Sequence, residues 1–274
     1  MTHESSAGTV TIETVGKILL IGINRPAKRN GLTPEMLAAL TEAYQRLDEA
    51  ADLRVGVLFA HGPDFCAGLD LPRFAERFAK GDDFASVEAG NDPESDPARP
   101  DIFARRPPWR KKPLVAAIKG ITYTAGLELA LAADIVVSAT DARLAMLEPR
   151  RGLMPVGGAT YRFIERGGWG NAMRWLLTGE EFGADEAHRI GIVQEIVPPG
   201  FELNRAIAIA ETIASRAPLA VEALRANAVT YATQGEVACA AEFSPISARL
   251  ARTEDFAEGV QSFREKREAV FRGC

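Results

Sequence analysis

Apolar positions fall into two periodicities along the chain. Residues 9–23 (TVTIETVGKILLIGI) form two short β-branched runs on either side of Gly16, the pattern of a hairpin. After Thr33 and Pro34, apolar residues recur at Met36, Leu37, Leu40, Tyr44 and Leu47. That spacing predicts an amphipathic helix, with Thr33 as its N-cap and Pro34 in its first turn. Continuous apolar runs at 55–60 (VGVLFA), 114–119 (LVAAIK) and 134–138 (DIVVS) have strand length and predict strands covered on both faces. Helical patterns lie between or after them, so the first 200 residues read as an α/β core around a buried sheet. From Phe201 onward the pattern is almost wholly helical, with breaks expected at Pro218, Gly235, Pro245 and Gly259. We therefore divide the chain into a core over 1–200 and a helical C-terminal region over 201–274.

Composition narrows the classes. The chain has 274 residues, 47% hydrophobic and 25% charged, as in an ordinary globular protein. No run approaches the ~20 apolar residues of a membrane helix, so no membrane association is expected. The opening Met-Thr-His-Glu-Ser-Ser lacks a basic stretch leading into an apolar one, so no secretory leader is expected. A net charge of −5 speaks against nucleic-acid binding. Cys66, Cys239 and Cys274 are far apart, which argues against a disulfide framework and fits the cytoplasm. His3, His61 and His188 are equally scattered, so no metal site is expected. Residues 80–101 carry seven acids and are followed by Arg105, Arg106, Arg110, Lys111 and Lys112. They read either as a solvated loop or as a lid beside a pocket.

The candidate chemistry lies in two glycine-containing turns and two acids. The first turn, Asp64 to Leu71, follows the strand at 55–60, and the second, Gly120 to Ala130, follows the strand at 114–119. Such turns are often mere punctuation. Small residues at a tight turn also let a backbone N–H face a ligand, and Ala125 and Gly126 fall where a helix begins. Two N–H groups aimed at one carbonyl oxygen would form an oxyanion hole. Glu128 lies in the apolar stretch AGLELALAADIVV, and Glu148 follows the apolar RLAML. A carboxylate in apolar surroundings is paired, protonated or functional. The plainer alternatives are a first-turn acid favoured by the helix dipole for Glu128 and a surface acid at a strand end for Glu148.

Together these pieces resemble the crotonase (enoyl-CoA hydratase/isomerase) superfamily. Asn24-Arg25-Pro26 with Asn30-Gly31-Leu32-Thr33 is similar to its "NRP…NALT" element. Phe65 to Leu71 is similar to "FcAGaDl", and Gly120 to Ala130 to "GxxxGGGxELA". Ala132-Ala133-Asp134 is similar to "xCD", Glu148 to Pro155 to "PExxxGxxP", and Gly179 to Val197 to "TGxxxxAxEAxxxGLVxxVV". The resemblance implies a spiral of ββα units with a helical trimerisation region, assembled as a homotrimer or a dimer of trimers. It implies an acyl-CoA thioester substrate and no cofactor, coenzyme A being part of the substrate. The backbone N–H groups of Leu69 and Ala125 would then form the oxyanion hole, and Glu128 and Glu148 would be the catalytic acids of the hydratase branch. The segments around Lys28, Arg29 and Asn30, and around Ala67, Gly68, Asp70 and Gly126, match those that hold coenzyme A. Phe263 and Lys266 match a helix that reaches the coenzyme A of a neighbouring subunit. Lys28 and Arg29 also read as exposed cations, and Phe263 and Lys266 as one side of an amphipathic helix. The chain departs from the pattern at Ala125, where the family has glycine. Trp109, Tyr123 and Met146 are either core residues or the lining of an acyl pocket.

Overall fold

The computed structural model describes residues 8–74 and 99–274, so the acidic run from Asp82 to Asp96 lies outside the described residues. β1 (Thr9–Val15) and β2 (Ile18–Asn24) pair antiparallel across Gly16, which takes φ +57°. α1 (Pro34–Glu49) begins where the cap predicts, with Thr33 Oγ1 accepting from the Met36 amide at 3.3 Å. Its buried stripe contains the five apolar residues named above.

β3 (Val55–Ala60), β4 (Leu114–Ile118), β5 (Ile121–Tyr123), β6 (Ile135–Ala139), β7 (Arg143–Ala145), β8 (Phe182–Gly183) and β9 (Glu195–Val197) complete two sheets. The larger runs in the order β1-β2-β3-β4-β6-β9, parallel from β2 onward, and the smaller in the order β5-β7-β8. The chain sends β4 to the large sheet, β5 to the small one, and then forms α2 (Ala125–Ala132). It repeats the move with β6, β7 and α3 (Ala159–Thr178). This is the ββα turn the resemblance implies. Isolated parallel pairings of Leu32 with Leu69 and of Cys66 with Thr122 continue the stacking of turn on turn.

The continuous apolar strands are explained by cover on both faces. One face meets the main core, which includes α1 and α2. The other meets α5 (Glu202–Ala214), where Ala206, Ala210 and Ala214 pack on Val55, Val57, Val115, Ala117 and Val137. A short helix, α4 (Ala184–Arg189), precedes it.

The C-terminal region continues as α6 (Pro218–Gln234), α7 (Glu236–Ala241), α8 (Phe243–Leu250) and α9 (Glu254–Glu265). Two expected breaks are absent. Pro245 sits in the first turn of α8, where its missing N–H would have had no intrahelical partner. Gly259 lies inside α9. The break instead precedes α9, where the Thr253 hydroxyl caps the Phe256 amide at 3.1 Å.

Candidate active site

The two glycine turns lie against each other. The Phe65 amide donates to Lys119 O and the Cys66 amide to Ile121 O, both at 2.9 Å, and Tyr123 N returns a bond to Cys66 O. Gly68 has φ +100°, and a Cβ there would stand 1.8 Å from Thr124 Oγ1. A Cβ on Gly126 would stand 2.6 Å from the Cys66 carbonyl oxygen and Cβ. Only glycine permits either approach.

This contact leaves two amides turned outward. Leu32 N donates to Gly68 O, and Asp70 N donates to Leu32 O, both at 2.8 Å. Strand alternation then points the amide of the intervening Leu69 away from Leu32. Ala125 opens α2, so its N–H has no intrahelical acceptor. Among the described residues neither amide donates to a protein oxygen. Both residues line a cleft of about 100 Å³, lined also by Ala67, Leu71, Thr124, Glu148, Arg151 and Leu153.

Thr124 produces the turn into α2. It holds φ 50° and ψ −125°, a region a β-branched residue rarely enters and one that costs on the order of 1–3 kcal/mol. The sequence reading passed over it, although its place in the pattern "GxxxGGGxELA" is a glycine.

Glu128 is buried and Glu148 half-buried at the cleft. Glu128 lies in the first turn of α2 and is 1% exposed. Its Oε1 accepts from the Ala159 amide at 3.0 Å, and its Oε2 has no partner among the described residues. Gly157 makes room for that oxygen, since a Cβ there would fall 2.6 Å from it and 2.9 Å from the Phe103 ring. Burial raises the Glu128 pKa well above the carboxylate range, and the charge of Glu148 adds to the rise against the Ala159 and Gly157 amides and Arg162. Glu148 opens a 3-10 turn, Glu148–Arg151, and its Oε2 is also buried without a partner among the described residues. Burial pushes its pKa up to about 7, opposed by its own backbone N–H and by Arg151. A buried polar atom without a protein partner calls for a ligand or water to meet it, and here there are two.

Arg162, which the sequence reading missed, builds the wall behind Glu128. It donates to Gly157 O at 2.9 Å, Phe103 O at 2.6 Å and Ala104 O at 2.7 Å. An arginine within the otherwise apolar-facing stretch YRFI was the available signal. Asp101 assists by pairing with Arg105 at 2.9 Å and accepting from the Phe103 amide.

The remaining candidates separate. The Asn30 side chain is not turned to a ligand: it is wholly buried, accepts from the Arg25 amide at 2.6 Å and donates to His61 O and Asp64 O. Asp70 pairs with Arg25 at 2.8 Å. Lys28 and Arg29 are exposed, and Arg29 O accepts from the Ala67 amide. Phe263 lines a separate apolar groove at the C-terminal helices, and Lys266 is exposed at the end of α9. None of the three acyl-pocket candidates lines the cleft. Met146 is wholly within the core, Tyr123 hydrogen-bonds Glu181, and Trp109 lines grooves beside α6.

A ββα spiral carrying two outward amides and two glutamates, each with a buried oxygen that no described residue meets, defines an α/β protein with an enzyme-like site. Residues 13–273 match the enoyl-CoA hydratase/isomerase family model, and the chain belongs to that family. It is 31% identical to an enoyl-CoA hydratase of Mycobacterium tuberculosis, over 99% of both chains. It is 33% identical to the 2,3-dehydroadipyl-CoA hydratase of Escherichia coli, over 94% of this chain and 96% of that one. The crystal structure of a probable enoyl-CoA hydratase/isomerase from Mycobacterium abscessus superposes with a TM-score of 0.89 at 43% identity, covering 97% of this chain and 98% of that one.

Proposed function

We propose that the protein is an enoyl-CoA hydratase that adds water reversibly across the 2,3 double bond of a trans-2-enoyl-CoA. The observation that carries this reading is the pair Glu128 and Glu148, both retained, each with a buried Oε2 that no described residue meets, beside the outward amides of Leu69 and Ala125. The thioester oxygen accepts from those two amides. The water oxygen bonds to Cβ while one carboxylate takes a water proton, and the double-bond electrons move toward the thioester oxygen. The other carboxyl delivers a proton to Cα as the enolate collapses. Two dipoles fixed by the packed turns meet the transient negative charge, an arrangement worth roughly 3–4 kcal/mol per donor. Burial raises both carboxyls and the charge of Glu148 raises Glu128 further, which favours one base and one acid near neutral pH. Dehydration of a 3-hydroxyacyl-CoA runs through the same groups in reverse. The relatives' names share this reaction class and differ in the acyl group.

Loss of the enoyl-thioester absorbance of crotonyl-CoA tests the reading. Wild type should turn over, and Glu148→Gln and Glu128→Gln should each lose at least a hundredfold in kcat. Turnover surviving in Glu128→Gln would point to an isomerase that relies on Glu148 alone.

A further inference from the structure

Arg151 shares the cleft with Glu148. The two are the ends of the 3-10 turn Glu148–Arg151, closed by Gly152 at φ 71°. In a 3-10 helix side chains at i and i+3 fall on the same face, so the turn presents both to the cleft. Arg150 faces elsewhere, packed near Gly179. The Arg151 side chain is exposed, its charge acts on Glu148, and among the described residues lining the cleft it is the one cation. The lining also includes the apolar Leu71 and Leu153 beside Thr124 and Glu148. A solvent-facing guanidinium at the cleft, beside Leu71 and Leu153, can meet a planar, bidentate anion.

Building on the hydratase reading, we propose that Arg151 sets acyl specificity by gripping a carboxylate at the far end of the acyl chain. The preferred substrate class is the CoA monothioester of an unsaturated dicarboxylic acid. An arginine on this face also keeps such an anion from pressing directly on Glu148, with which it would otherwise clash.

The test compares CoA monothioesters of five- and six-carbon trans-2-enedioic acids with monoacid enoyl-CoAs of equal length. Wild type should favour the diacid in kcat/KM by at least tenfold. In Arg151→Gln that preference should collapse at least tenfold, and Arg151→Lys should keep part of it. Equal loss on both series would mean that Arg151 meets coenzyme A itself, and a shifted pH profile with the preference intact would mean that it only tunes Glu148. Either result overturns the proposal. Should no thioester be hydrated, the hydratase reading fails while the specificity claim stays testable. Equilibrium binding of glutaryl-CoA against valeryl-CoA, in wild type and Arg151→Gln, then decides it by the same preference.

Discussion

Each catalytic candidate carboxyl keeps one buried oxygen that no described residue meets, and the fold bears that cost at every pH where the group is charged. For Glu148 the pKa rises from an ordinary 4.5 to about 7 through burial. Below about pH 4.5 it is protonated in both the folded and the unfolded chain. Between 4.5 and 7 the unfolded chain releases its proton and the folded one holds it, so stability falls through that window. Above 7 the full penalty stands. Glu148→Gln should therefore be more stable than wild type above pH 8, by on the order of 2–3 kcal/mol, and the gap should close toward pH 4.5. Thermal melts of both proteins across pH 4–9 measure it, and a gap independent of pH would refute the argument. The same titration predicts activity centred near neutrality, because acid protonates the base and alkali strips the acid.

At the scale of elements, the site depends on how closely α2 approaches the first turn. Gly126 touches Cys66, and an alanine there would place a methyl 2.6 Å from a backbone oxygen that cannot yield. Helix α2 would have to move, carrying both the Ala125 amide and Glu128. Gly126→Ala should cost about 1–3 kcal/mol in stability and lower kcat at least tenfold. Chemical denaturation beside crotonyl-CoA kinetics checks both, and full activity with unchanged stability would show that the contact is slack. These elements were legible because their signals are local. Thr33-Pro34 and the stripe from Met36 to Leu47 define α1, and the apolar runs define β3, β4 and β6. The breaks at Pro245 and Gly259 were misread because a proline in a first turn breaks nothing, and because a lone glycine costs a helix only ~1 kcal/mol. Candidate site positions came from motif order. What they touch did not, because contacts such as Gly157 with Glu128, Arg162 with the Phe103 carbonyl, or Asn30 with His61 join residues distant in the chain. Thr124 was overlooked because its left-handed backbone has no signature in a side chain that ordinarily avoids it.

For the whole molecule, the C-terminal helices leave apolar side chains in water. Phe263 is 86% exposed, Val237 85% and Leu224 72%, and Phe256, Phe243 and Tyr231 are each more than half exposed. Phe263 and Phe256 border one apolar groove with Leu219, Leu250, Val260 and Phe271. Contiguous apolar surface of this kind marks an interaction site, and the resemblance implies a trimer built through this region. Burying a phenylalanine from water contributes about 1.5–3 kcal/mol, so a few such residues repeated around a symmetric assembly suffice to hold it. We expect sedimentation to give three or six times the chain mass at micromolar concentration, and Phe263→Asp to shift the protein toward monomer. If α9 also reaches the coenzyme A of a neighbour, the same substitution should raise the KM for crotonyl-CoA in step with dissociation. Lys266→Ala should then raise KM while leaving the mass unchanged. A wild-type monomer at those concentrations would sink the assembly argument. An unaltered KM in both variants would confine the substrate to the cleft of a single chain.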